Sequence, residues 1–135
     1  MLTLELPYPP SINHYFRNFR GRTVISTAGR AFREEVCRQL HRDGVQPMAG
    51  HLAVCVDIYP PDHRRRDIDN IQKALLDALQ HGGAFFDDSQ IVWLLTQKAQ
   101  VVPAGRTHVE IRPVGVAAPG QAVDPRCPWC GRYWN

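Results

Sequence analysis

The order of hydrophobic patterns along the chain predicts a small α/β (α+β) domain: a mixed sheet packed by two main helices. Two observations carry this reading. Several stretches alternate or run apolar over five to eleven residues, as strands do, and two others space their apolar residues three and four apart, as amphipathic helices do. Their order is strand, helix, strand, helix, strand, strand, which fits one sheet layered with helices. At 135 residues the chain holds one domain with its own core and scarcely a second.

The first strand is LTLEL, residues 2–6, which alternates. The next segment, PYPPSINHYFRNFRGR (7–22), is expected to be irregular, because its prolines forbid a regular start and its aromatics follow no period. TVIS (23–26) is a brief extended piece. Ser26 or Thr27 can cap a helix over 28–42, with Phe32, Val36, Cys37 and Leu40 on one face and Gly44 and Pro47 behind it. In HLAVCVDIY (51–59), Leu52, Val54, Val56 and Ile58 alternate inward, and Pro60 and Pro61 stop the strand.

A second helix is expected to begin near Asp67, with Ile68, Ile71, Leu75, Ala78 and Leu79 as its stripe and Gly82 and Gly83 as its end. AFFDDSQ (84–90) reads as a turn. IVWLLTQKAQV (91–101) is mostly apolar and reads as a central strand, and THVEIRP (107–113) alternates as the last. Residues 114–126 have the composition of a linker, and 127–135 form a tail containing cysteine and tryptophan. Cys37 and Cys55 sit among apolar neighbours and read as buried small side chains. No apolar run approaches the roughly 20 residues of a membrane span. With no basic start and h-region at the N-terminus, the cytoplasm is the expected compartment.

Charge is informative through its placement. The net charge is only +3, yet before Glu34 the sole acidic residue is Glu5, against Arg17, Arg20, Arg22, Arg30 and Arg33. Arg64, Arg65 and Arg66 form a second cluster. Any one arginine is most simply a solvated side chain. Clustered guanidinium forks suit phosphates, and together they favour nucleic acid over other anionic partners.

The arginine run leads directly into Asp67 and Asp69, and a second acidic pair, Asp87 and Asp88, follows the second helix. An aspartate at a helix start can be a simple N-cap, which accounts well for one of the first pair and tolerably for both. It leaves the second pair unexplained. Carboxylates gathered at one point repel unless a cation or proton sits among them. Hard oxygen ligands suit Mg²⁺, and a basic surface beside them would deliver a phosphate ester. Lys73 lies one helical turn beyond Asp69, either as a surface ion pair or as a positive charge for a transition state.

The motifs PPSINHYFRNFRGR, PPDHRRRDIDNIQKALLDAL and FFDDSQI, in this order and spacing, resemble the RusA family of Holliday junction resolvases over about residues 1–113. The resemblance implies a homodimeric endonuclease that binds four-way DNA junctions and cuts two opposed strands with Mg²⁺ or Mn²⁺. It implies that Asp67, Asp69 and Asp88 are the metal-binding aspartates and Lys73 the essential lysine, with Asn70 and Asp87 in support. It also implies a DNA-contacting N-terminal loop. Asn13, Tyr15, Arg17, Arg20 and Arg22 are the candidates there, beside Arg64, Arg65 and Arg66, and an aromatic could stack on unpaired bases. Phe16 is more simply a packing residue. The alternatives are a module that binds junctions without cutting, or a less selective metal-dependent nuclease. Outside the resemblance, Cys127 and Cys130 form a C-x-x-C, half of a Zn²⁺ site or simply two reduced thiols. Trp129, Tyr133 and Trp134 beside them argue that the tail docks on something.

Overall fold

The computed structural model describes residues 1–115 and 126–132. Most of the expected linker, together with Tyr133 and Trp134, lies outside the described residues. The elements are β1 (Leu2–Leu6), α1 (Ile12–Tyr15), β2 (Phe16–Phe19), β3 (Arg22–Ile25), α2 (Thr27–Arg42), β4 (Leu52–Tyr59), α3 (Gln72–His81), a 3-10 turn (Asp88–Gln90), β5 (Ile91–Lys98) and β6 (Arg106–Pro113). The four-stranded sheet has the order β1-β6-β4-β5. β6 pairs antiparallel with both β1 and β4, and β4 pairs parallel with β5. The mixed sheet and its two main helices match the expected fold class.

Three local expectations are corrected. The segment 7–22 is not wholly irregular: residues 12–15 are helical and β2 pairs with β3. Arg20 and Gly21 both have positive φ, 51° and 74°, and form the two-residue turn that right-twisted hairpins favour. The second helix starts at Gln72 rather than near Asp67, and Ile68 is 40% exposed rather than part of the stripe. β5 is an edge strand, not a central one, and its Leu94 and Leu95 are 44% and 39% exposed.

The core lies between the sheet and the two helices. Val54, Val56, Ile58, Val109 and Ile111 meet Val36 and Leu40 of α2 and Leu75, Ala78 and Leu79 of α3, all buried. Cys37 and Cys55 are only half-buried. Gly29 lets α2 pass close to the N-terminal loop, since a Cβ there would stand 2.7 Å from the Tyr15 carbonyl oxygen.

The parallel pairing fixes where the acidic segments sit. Leu52 lies opposite Ile91 and Ile58 opposite Lys98, so β4 and β5 start at the same end of the sheet. Two parallel neighbours need a crossover, and α3 supplies it by running back between them. The segment before α3 is therefore at one end of the sheet and the segment before β5 at the other.

Candidate active site

The loop entering α3 is built around Asp62. Its carboxylate accepts the Arg64 backbone N–H at 2.9 Å and an Arg66 guanidinium N–H at 2.6 Å. The Arg66 hydrogen bond, chiefly, holds the Asp62 pKa down at about 2. Arg66 also lies over the Tyr8 ring, 5.8 Å from its centroid, and its carbonyl accepts from Lys98 Nζ. One of the three arginines is therefore committed to holding the loop. Arg65 is exposed, and the Arg64 side chain is 85% exposed, with only a 3.9 Å approach to Asp62.

Asp67 and Asp69 follow on a turn, both exposed. Their backbone carbonyls accept Asn70 N and Gln72 N, each at 3.2 Å. The N-cap position of α3 is Ile71, with no side-chain cap bond. The capping explanation for these aspartates therefore does not hold, and both carboxylates are left open to solvent. Lys73 is exposed in the first turn of α3, and its charge reaches Asp77 one turn further on.

The second acidic pair divides its labour. The Asp87 carboxylate caps the 3-10 turn by accepting Ser89 N at 2.8 Å, and hydrogen bonds from the Ser89 side chain and then its backbone lower the Asp87 pKa. Gln90 Oε1 accepts the N–H groups of Phe86 and Asp87, while its Nε2 donates to the Met48 and Gly50 carbonyls. Asp88 N donates to Gln80 Oε1 at 3.0 Å. The backbone around Asp88 is thus fixed from three directions while its carboxylate remains exposed. Gln80 is near the C-terminal end of α3, whereas Asp69 precedes its start. Ten helical residues span about 15 Å. Among the described residues no three His, Cys, Asp or Glu side chains are grouped as a metal-binding set.

The N-terminal loop contains the clearest correction. Tyr15 is fully buried, and its hydroxyl donates to Asp77 and accepts from Arg33 at 3.2 Å. Arg33 donates to Asp77 at 2.6 Å as well. Burial above all, with the Asp77 bond, raises the Tyr15 pKa to about 12. A ring in this position cannot stack on a base. Phe16 packs edge-on against it at 4.8 Å between centroids, as a packing residue would. The exposed aromatic is Phe19, 48% accessible at the hairpin end. Arg17 and Arg20 lie 5.4 and 5.3 Å from its ring centroid. Its signal was present in the sequence as an aromatic just before the Arg-Gly turn. Asn13, Arg17, Arg20 and Arg22 are all exposed.

The described part of the tail docks on β6. Trp129 Nε1 donates to Glu110 at 2.8 Å, and the Arg112 guanidinium lies 5.2 Å from the Trp129 ring centroid. Cys127 is buried and Cys130 exposed, in a turn closed by Gly131 N donating to the Cys127 carbonyl. Beside it, His108 Nδ1 meets Glu5 and its Nε2 lies 3.5 Å from Glu110. Among the described residues no helix is long and apolar enough to cross a membrane.

Comparison with known proteins gives a consistent picture. The family described as Endodeoxyribonuclease RusA matches residues 7–112. The chain is 39% identical over 114 residues to the Crossover junction endodeoxyribonuclease RusA of Escherichia coli (strain K12), covering 84% of this chain and 95% of that protein. It is 40% identical over 113 residues to the protein of the same name from Enterobacteria phage 82, covering 83% and 94% respectively.

Proposed function

The chain belongs to the RusA family of endodeoxyribonucleases, and from that premise we propose that it resolves Holliday junctions by paired, symmetric, metal-dependent cleavage in recombination and repair. A DNA substrate is consistent with work in the cytoplasm. The observation that carries the reading is the state of the aspartates. Asp67, Asp69 and Asp88 keep exposed carboxylates on backbone that other residues fix, and the caps and braces nearby do not use Asp67 or Asp69. Such oxygens suit Mg²⁺ or Mn²⁺ and have little structural reason to be where they are.

When bound, the metal would activate water and offset charge at the scissile phosphate. The chain's own residues do the rest. Arg64, Arg65 and the hairpin arginines hold phosphates, Lys73 faces the charge that develops on the reacting group, and Gln90 and Asp87 keep Asp88 in place. Cys127 and Cys130 supply two ligands of the four a structural zinc site takes, and among the described residues no third ligand joins them.

Asp88 lies at the far end of α3 from Asp67 and Asp69, so we place the complete site between two copies. β5 is the means. Among the described residues it is the last strand of the sheet, with Leu94 and Leu95 exposed; it has no proline, and its one charged residue, Lys98, is turned back onto the Arg66 carbonyl. Edges of this kind pair with other strands unless guarded. A two-fold axis aligns them antiparallel. Asp88 of one copy would then stand near the Lys98 end of the other, beside its Asp67 and Asp69. Two such sites per dimer suit two opposed strands.

The test is cleavage of a synthetic four-way junction beside a linear duplex of the same sequence, with and without Mg²⁺. Symmetric, metal-dependent cutting of the junction alone is expected, and Asp69→Asn should abolish it while keeping junction binding. Equal cutting of both substrates would leave a less selective nuclease. Binding without cutting would leave a junction-binding module.

A further inference from the structure

A cleft of about 700 Å³ opens beside Asp67, and the cleavage reaction does not account for it. The N-terminal loop, α2 and the loop before α3 form its walls. Phe32 and Ile71, both nearly buried, form its apolar floor, Tyr8 and Pro10 are half-buried on its walls, and the exposed Arg64 and Arg65 line it together with the carboxylates of Glu35 and Asp67. Asn70 lines it too, half-buried, and its side-chain amide makes no hydrogen bond among the described residues, which leaves a donor and an acceptor available to a ligand. The volume lies within the roughly 300–1,000 Å³ of sites that hold compact ligands.

The chemistry of the walls narrows the occupant. A phosphate alone would gain nothing from an apolar interior. A purely apolar ligand would gain nothing from two accessible guanidiniums. A nucleobase on its sugar-phosphate matches both parts: a flat π-face for the half-buried Tyr8 and Pro10 walls, an edge for Asn70, and a phosphate for the arginines. We propose that this cleft receives one unstacked nucleobase beside the scissile phosphate, and that it sets the sequence preference of cleavage. The proposal rests on the nuclease reading above. Enzymes that extrude a base from the stack hold it between apolar and aromatic side chains in just such a pocket.

Ala31 lines the cleft from the exposed face of α2, so Ala31→Trp fills it without entering the core, and Ala28→Trp fills it from the same wall independently. The probe is a four-way junction carrying 2-aminopurine next to the cut point, in buffer without divalent metal. Emission should rise when the wild-type protein binds and should be lost in both variants. With Mg²⁺, on junctions that differ only in the bases flanking the cut, the variants should cut the preferred sequence about tenfold more slowly, as loss of one stacked base implies, and discriminate less. An unchanged emission response and an unchanged sequence preference in both variants would overturn the assignment. A wild-type protein that binds the junction but never cuts it would remove the nuclease reading, while the emission signal would still decide whether the cleft takes a base.

Discussion

Tyr15→Phe separates a structural role from a DNA-contacting one. Tyr15 is fully buried, so phenylalanine keeps its packing and removes a single oxygen. That oxygen donates to Asp77 and accepts from Arg33. Hydrogen bonds to charged groups contribute roughly 1.5–3 kcal/mol. The direct Arg33–Asp77 bond at 2.6 Å survives the change, and both side chains are about one-fifth exposed, 21% and 22%, so water takes over part of the lost contact. The low part of the range applies, a loss of about 2 kcal/mol. With a urea slope of about 2 kcal/mol/M, the midpoint should fall by about 1 M while the slope stays the same. Four-way junction affinity, measured well below the transition, should stay within about twofold, because the ring never reaches the surface. An unchanged urea midpoint together with lost junction binding would refute the reasoning and return Tyr15 to the DNA interface.

Three further outcomes follow from individual contacts. On the reading that the exposed Phe19 ring stacks on a base, Phe19→Ala should weaken junction binding about tenfold with little change in its salt dependence; a steep drop in the salt slope would contradict that role. Gln90→Ala removes the brace around Asp88 and should lower the cleavage rate about tenfold or more at unchanged junction affinity, and a binding defect without a rate defect would show that Gln90 acts elsewhere. His108 has its pKa raised above the ordinary 6.5, mainly by the Glu5 contact. Its contribution to stability is therefore complete below pH 6.5 and lost as pH rises through the folded-state value. Thermal melts from pH 6 upward should show this decline in the wild type and not in His108→Gln.

Where the sequence could be read and where it could not has a physical basis. Periodicity revealed β1, β4, β6 and the buried faces of α2 and α3, because each has one face in the core and one in water. It misplaced β5. An apolar strand reads as central whether a neighbouring strand of its own chain covers it or a surface is left exposed, and Leu94 and Leu95 are the exposed case. The start of α3 was set too early because Asp67 and Asp69 resemble caps, whereas the chain uses Ile71 at that position without any side-chain bond. Spacing alone also could not tell Tyr15 from Phe19. What separates them is Asp77, 62 residues away in sequence, which receives the Tyr15 hydroxyl. Likewise the arginine run does not show that Arg66 belongs to Asp62 while Arg64 stays accessible. The acidic residues themselves were legible, but their distance from one another was not, because it depends on the parallel pairing of β4 with β5.

Mixing two inactive variants tests the central claim most directly. Asp69→Asn and Asp88→Asn should each be inactive alone. Combined by unfolding and refolding together, they form mixed dimers in which a site shared between copies is intact once and doubly damaged once. The mixture should regain Mg²⁺-dependent nicking of a four-way junction on one strand at a time. If the mixture stays as inactive as its components while mixed dimers demonstrably form, each chain carries its own complete site and the shared arrangement is wrong.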